Sequence, residues 1–251
     1  MTAQLQQEAQ VQDNVLTLDS VHTNIAQYNI LHGVSFSVPR NQVTMLLGRN
    51  GAGKTTTMRT IMGLWQAAQG KIQLNGDDIQ TLETVTIARK GLHYVPENMG
   101  IFSGLSVEEN IRLATRKNKI DPERLEWIFT LFPAMKKFWQ WPAGQLSGGQ
   151  KQMLSIARSI IEPCELLLVD EPSKGLAPSI IENLITAFNQ LKENNTTILM
   201  VEQNFRMASV LGDHLAIMDD GVIVHESDMA SFVADEEKQS ALLGLSMEAH
   251  Q

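Results

Sequence analysis

A short apolar run, Val43 to Leu47, leads straight into Gly48-Arg49-Asn50-Gly51-Ala52-Gly53-Lys54-Thr55-Thr56, and Lys54 to Met62 then reads as a helix. Few folds accept a strand, a glycine-rich loop and a helix in that order. Glycines at 48, 51 and 53 let the backbone turn tightly enough for several N–H groups to point at one anion. The helix that follows adds its positive end. In this pattern the Lys54 ammonium reaches the β- and γ-phosphates of a nucleotide, and the Thr55 hydroxyl is a ligand for Mg²⁺. Gly48, Asn50, Gly51, Ala52, Gly53, Lys54, Thr55 and Thr56 are therefore candidate nucleotide-binding residues.

The rest of the chain reads as an α/β protein. Val15 to Val38 alternates apolar and polar residues, as in Val34-Ser35-Phe36-Ser37-Val38, which predicts antiparallel strands. Val107 to about Lys137 has a helical pattern, with Asp121-Pro122-Glu123 as a helix start. Gln150 to Ile161 and Ile180 to Lys192 continue as helices. Leu166 to Val169 is a short apolar run of the kind buried in parallel sheets, and Thr196 to Val201 is again strand-like. Strands alternating with helices at both ends, around a helical block, predict a nucleotide-binding α/β core with an inserted helical subdomain. The expected boundaries are a tail over 1–14, a core with an antiparallel β subdomain over 15–97 and 159–230, the insertion over 98–158, and a terminal helix or tail over 231–251.

Two further elements carry chemistry. The run Leu166 to Val169 ends in Asp170-Glu171, at the carboxyl end of a strand, where ligands sit in parallel α/β sheets. Asp170 is a candidate Mg²⁺ ligand and Glu171 a candidate general base for water. Paired acids after an apolar run also occur in ordinary surface turns, so this element gains its meaning from the phosphate loop upstream. Roughly ninety residues after that loop stands Leu146-Ser147-Gly148-Gly149-Gln150, two glycines ahead of a predicted helix. That arrangement suits an anion. It equally suits a helix cap supplied by Ser147, and both can hold together.

Composition narrows the classes. The chain has 251 residues, 43% of them hydrophobic and 19% charged, which suits a globular protein with one sizeable core. A net charge of −8 argues against bulk nucleic-acid binding. One cysteine, Cys164, rules out an internal disulfide and fits a reducing compartment. No apolar run has the length of a membrane span, and Met1 to Gln10 does not read as a secretory signal. Association with a membrane is expected only through a partner.

The phosphate loop, the acidic pair and LSGGQ, in this order, resemble the ATP-binding cassette ATPase family, over about residues 15–230. The resemblance implies that the fold is a phosphate-loop NTPase core with a β subdomain and a helical signature subdomain. It implies ATP and Mg²⁺ as ligands, and a second cassette whose ATP is covered by Ser147, Gly148, Gly149 and Gln150. Tyr28 matches the aromatic on which that family stacks adenine, although a half-buried strand tyrosine would read the same way. Apolar residues near Phe102 and Leu105 fall where the family docks a permease. Trp139 and Trp141 read as core packing.

Some residues point to a subgroup. Glu97 stands where most cassettes carry a Mg²⁺-contacting Gln, Gln203 replaces the usual switch histidine, and Ala177 replaces an Asp. With Pro172-Ser173-Lys174-Gly175-Leu176-Ala177-Pro178, this resembles the second ATPase subunit of branched-chain amino-acid uptake systems, including their urea and amide relatives. The resemblance implies transmembrane permease subunits, a different second cassette, and indirectly a solute-binding protein, with this chain peripheral on the cytoplasmic side of the membrane. Gln203 can hydrogen-bond a γ-phosphate but cannot titrate near neutrality as His does. Lys54, Thr55, Asp170, Glu171 and Gln203 are together the expected hydrolytic set, with Glu97 as a third metal contact. An exporter cassette and a weakly hydrolytic regulatory subunit remain alternatives. A soluble DNA-maintenance cassette does not fit, because the chain has neither a long coiled-coil insertion nor a second cassette.

Overall fold

The computed structural model describes residues 14–244. Of the two expected terminal segments, residues 1–13 and 245–251 lie outside the described residues. Asn14 already belongs to the first strand, opposite Pro39.

The chain opens with strands β1 (Asn14–Ile25), β2 (Tyr28–Pro39) and β3 (Val43–Leu47), then helix α1 (Lys54–Ile61). Strands β4 (Gln69–Leu74) and β5 (Asp77–Asp78), helix α2 (Thr84–Arg89) and strand β6 (Leu92–Val95) follow. A helical block comes next: α3 (Val107–Leu113), α4 (Pro122–Leu131), α5 (Pro133–Lys137) and α6 (Gly148–Ile160). Then the chain alternates again through β7 (Leu166–Asp170), α7 (Pro178–Glu193), β8 (Ile198–Val201), α8 (Phe205–Leu211), β9 (His214–Asp219) and β10 (Val222–Asp228). Helices α9 (Met229–Val233) and α10 (Glu236–Leu243) close it.

Two sheets result. One has the order β2-β1-β4-β5 and is antiparallel. The other has the order β10-β9-β3-β8-β7-β6, parallel throughout except for β10 at its edge. Every residue of β3, β7 and β8 is buried, which is why their sequences are apolar apart from Thr44 and the terminal Asp170. Side chains alternate between the two faces of a strand. Leu46, Leu166, Leu168, Leu199, Val201 and Met218 therefore join one core, shared with the antiparallel sheet and α1. Met45, Leu47, Leu167, Val169, Ile198 and Met200 join the other, shared with α6, α7 and the helical block. The antiparallel strands follow the opposite rule, with Val34, Phe36 and Val38 buried and Ser35 exposed.

The expected helical stretch from Val107 to Lys137 is in fact three helices. Asn118 takes a left-handed conformation between the first two. Pro133 ends α4, since proline has no N–H to donate back into a preceding turn and its ring crowds the carbonyl there. Asp121 caps α4 through Glu123 N, with Pro122 in the first turn. Buried Asn110 knots the loop before α3, accepting from Phe102 N and donating to the carbonyls of Phe102 and Ser106. Trp139 packs edge-on against Phe129, as core packing predicts. Trp141 does not: it lies against Phe138 with half its surface exposed. Its backbone follows the edge of the block, where it bonds to Val107 N, and the ring is left facing solvent.

Candidate nucleotide site

The glycine-rich loop leaves the end of β3 and closes on the start of α1. Gly48 has φ 143°, and a Cβ there would fall on the Met218 carbonyl oxygen, well inside contact distance. Gly53, with φ 108°, leaves no free room either, since its Cβ would lie 3.0 Å from both Leu31 Cδ2 and Met218 Cε. Lys54 is buried and folds back across the loop, donating to the carbonyls of Gly48 at 2.7 Å and Arg49 at 2.9 Å. Burial holds its ammonium below the usual lysine range, while Glu171 and Asp170 work in the opposite direction. The nearness of both acids to Lys54 brings the two halves of the sequence pattern to one place.

Asp170 ends β7 with no solvent exposure. Its Oδ1 accepts from Thr55 Oγ1 at 3.2 Å and its Oδ2 from Tyr94 OH at 3.0 Å. Burial raises the carboxyl above its ordinary range, and the two hydrogen bonds hold it down. Burial also raises Tyr94, helped by the neighbouring Asp170 charge, so this hydroxyl stays a donor. Among the described residues no group of three or more His, Cys, Asp or Glu side chains could hold a metal ion by itself. The Thr55–Asp170 pair offers only two hard oxygens. That fits Mg²⁺, which takes one or two protein oxygens and completes its shell with water and phosphate.

Glu171 has φ 49°, an uncommon conformation for a residue with a long side chain. Its N–H still bonds to Val201 O at 2.9 Å, so the strand ladder holds the turn in place. The carboxylate is 9% exposed. Oε1 accepts from Gln203 Nε2 at 2.6 Å. Oε2 lies 3.2 Å from Lys174 Nζ, an ion-pair contact that lacks hydrogen-bond geometry. The same ammonium donates to Glu97 Oε1 at 2.6 Å. Glu97 is thus brought to the Glu171 side of the site, with Lys174 as its partner there.

Glu202 was not among the residues that the sequence singled out. It is 2% exposed and accepts four hydrogen bonds, from Ser173 N, Ser173 Oγ, Gln203 N and Asn204 N, each between 2.9 and 3.0 Å. One carboxylate thereby ties the segment after Glu171 to the segment carrying Gln203. The signal available in the sequence was an acid directly ending the apolar run Ile198 to Val201. Ala177 occupies the cap position of α7 and offers no side-chain bond there.

Two expected site elements lie apart from the loop's own contacts. Tyr28 opens β2 and is 63% exposed, so it is a solvent-facing ring and not a half-buried one. Two residues later, the Ile30 carbonyl lies 3.6 Å from a Cβ built on Gly53, which puts the start of β2 beside the loop. Ser147, Gly148, Gly149 and Gln150 open α6. Ser147 Oγ accepts from Gln150 N, and Gln150 Oε1 accepts from Ser147 N at 2.9 Å, a complete capping box. Gly149 has a packing reason as well, because a Cβ would come within 2.6 Å of Ile180 on α7. Ser147 and Gly148 remain exposed.

A strand-loop-helix cradle beside a buried acid pair defines a phosphate-loop ATPase. The sequence profile of the ABC transporter family matches residues 31–174, and the chain belongs to that family as an ABC-type ATPase. It is similar to the high-affinity branched-chain amino acid transport ATP-binding protein BraG of Pseudomonas aeruginosa, 37% identical over 92% of this chain and 100% of that one. It is also similar to the probable branched-chain amino acid transport ATP-binding protein LivF of Archaeoglobus fulgidus, 30% identical over 87% of this chain and 94% of the relative. The crystal structure of a nucleotide-free ATP-binding cassette from an ABC transporter shares the fold, with a TM-score of 0.78 at 22% identity over 93% of this chain and 99% of the other.

Proposed function

We propose that this chain is the ATP-hydrolysing subunit of an ABC importer for branched-chain amino acids. The observation that carries the reading is the meeting of Lys54, Thr55, Asp170, Glu171 and Gln203 at the carboxyl ends of β3, β7 and β8. Similarity to BraG across nearly the whole chain supports the transported class. In this reading residues 98–158 act as a helical subdomain on a core of 15–97 and 159–230.

Gly48, Asn50, Gly51, Ala52, Gly53 and Thr56 hold the phosphates through the loop and the start of α1, and Lys54 turns from its own loop carbonyls to the β- and γ-phosphates. Thr55 and Asp170 would hold Mg²⁺, with Glu97 as a third contact; when bound, the ion neutralises phosphate charge as it develops. Glu171 takes the proton of the attacking water, and Gln203 fixes the carboxylate and faces the γ-phosphate. Tyr28, already turned to solvent, stacks the adenine.

Ser147, Gly148, Gly149 and Gln150 complete the ATP site of a second, different cassette. ATP then joins two subunits, and hydrolysis of one anion into two products releases them. The movement passes to transmembrane permease subunits, which receive solute from a binding protein. Among the described residues no helix is long and apolar enough to cross a membrane. We place the chain on the cytoplasmic face, held there by the permeases.

The test is reconstitution with the permeases and the second cassette. Leucine uptake should require ATP and this chain. Ser147→Arg should abolish uptake while leaving ATP binding by this chain unchanged, because the signature serves the other cassette's nucleotide. Uptake of urea or an amide, with none of leucine, would overturn the substrate class. A separate expectation concerns Tyr28. Removing a ring stacked on a base costs about 1–3 kcal/mol, so Tyr28→Ala should weaken ATP binding about tenfold in calorimetry and leave thermal stability unchanged.

A further inference from the structure

Lys174 stands between two acids from different parts of the chain. Its ammonium is 2.6 Å from Glu97, which follows β6, and 3.2 Å from Glu171, which follows β7. Lys174 and Glu97 are exposed, whereas Glu171 is nearly buried. The consequence for Glu171 follows from counting its oxygens. Oε1 is taken by Gln203 Nε2 at 2.6 Å. Oε2 is buried, has no hydrogen bond, and faces the Lys174 ammonium. A general base needs an open lone pair within reach of the water it deprotonates. In this arrangement Oε1 already accepts one donor, and Oε2 is shut off from solvent against the Lys174 ammonium.

The other side of Lys174 leads away from the site. Glu97 begins a loop that is bonded to α6: Ser155 Oγ donates to Met99 O at 2.6 Å, and Arg158 Nη1 donates to Gly100 O at 2.6 Å. Helix α6 is the helix that Ser147 to Gln150 open. A contiguous set of contacts therefore runs from the signature helix through the 97–100 loop and Lys174 to Glu171. Ion pairs with exposed partners contribute little to stability. Such a clamp is light enough to open within a catalytic cycle, and it still decides where a nearly buried carboxylate points.

We propose that Lys174 is a positioning residue that holds Glu171 in a resting arrangement and releases it when α6 draws the Glu97 loop away. The proposal rests on Glu171 being the general base. It makes the base of this cassette answer to the position of its own signature helix. Lys174 stays charged throughout and its role is steric and electrostatic, so no proton or bond changes hands at it.

The test uses the full chain, the four single variants Lys174→Met, Lys174→Arg, Glu97→Gln and Glu171→Gln, and the double variant that joins the first and third of these. Amide hydrogen exchange is first measured on the nucleotide-free protein, over peptides covering 97–100 and 171–176. Exchange should be about threefold faster or more in Lys174→Met and in Glu97→Gln, and unchanged in Lys174→Arg. Steady-state turnover at saturating MgATP should rise about three- to tenfold in Lys174→Met, with KM unchanged within about twofold. Lys174→Arg should match the parent chain. Combining Lys174→Met with Glu97→Gln should speed exchange no further than either change alone, because both cut the same contact. Unchanged exchange, or turnover that stays level or falls in Lys174→Met, would overturn the proposal. Glu171→Gln separates the two claims: if it retains full turnover, the reading of Glu171 as base has failed, and if it is inactive while Lys174→Met behaves as the parent, only the clamp has failed.

Discussion

Glu171→Gln is expected to lower ATP turnover by about 10²–10⁴-fold, the range a positioned general base supplies, while ATP binding stays within about twofold. The reasoning is geometric. Glu171 sits in a left-handed backbone conformation held by the Val201 carbonyl, so the sheet fixes where its side chain starts, and Gln203 and Lys174 fix where its carboxylate lies. An amide keeps the size and can still meet Gln203 after a flip, but it cannot take a proton from water. The loss should therefore fall on kcat, with little change in KM. On the proposed mechanism, the variant mixed with the second cassette and MgATP should also accumulate the closed pair in size-exclusion chromatography. A release assay for inorganic phosphate checks the first part. Turnover within a factor of about ten of the parent would show that some other group activates the water.

Glu202→Ala should destabilise the fold by about 3 kcal/mol and lower Tm by about 6–12 °C. The carboxylate is 2% exposed and is the acceptor for four donors. Truncation takes this buried acceptor from the N–H groups of Ser173, Gln203 and Asn204, of which Ser173 is itself buried. Glu202→Gln is the informative companion. With its oxygen at the Oε2 position it still serves Ser173 Oγ, Gln203 N and Asn204 N, but its amide then opposes Ser173 N. Its cost should be about a third of that of the alanine change, about 1 kcal/mol. Urea unfolding followed by circular dichroism measures both. The same variants should lower turnover, because Gln203 takes its place from the peptide that Glu202 holds.

The two results come from different kinds of information. Glu171 was marked by its neighbours in the chain: an apolar run, then two acids, downstream of a phosphate loop. Glu202 also ends an apolar run, but nothing next to it says that Ser173 will arrive from 29 positions away. Tyr94 is similar, reaching Asp170 across 76 positions, and so is the Lys174–Glu97 pair across 77. Strand pairing of β6, β7 and β8 makes those meetings, and pairing is a long-range choice that no local spacing encodes. Tyr28 could be read two ways from sequence, and only its exposure separated a solvent-facing ring from a half-buried one. The helical block was legible as helical, with the start of its second helix marked by Asp121-Pro122-Glu123, but the break at Pro133 was not read, because the apolar pattern runs on across it.

The sequence by itself determined the α/β class, the phosphate loop with Lys54 and Thr55, the acid pair Asp170-Glu171, and the helix cap supplied by Ser147. Each of these depends on residues a few positions apart, or on runs whose burial follows from their composition. Gly48 and Gly53 belong with them, since their positive φ angles are the local requirement that a tight anion-binding turn imposes. The tertiary structure alone decided which groups hold Glu171: Gln203 on one oxygen, Lys174 on the other, and Glu202 beneath Gln203. Those contacts exist because the parallel strands end side by side, so the buried Glu171 and Glu202 meet the exposed Lys174 and Gln203 at one rim, though they are distant in the chain. There the direction of a single ammonium or carboxylate governs which lone pair remains free.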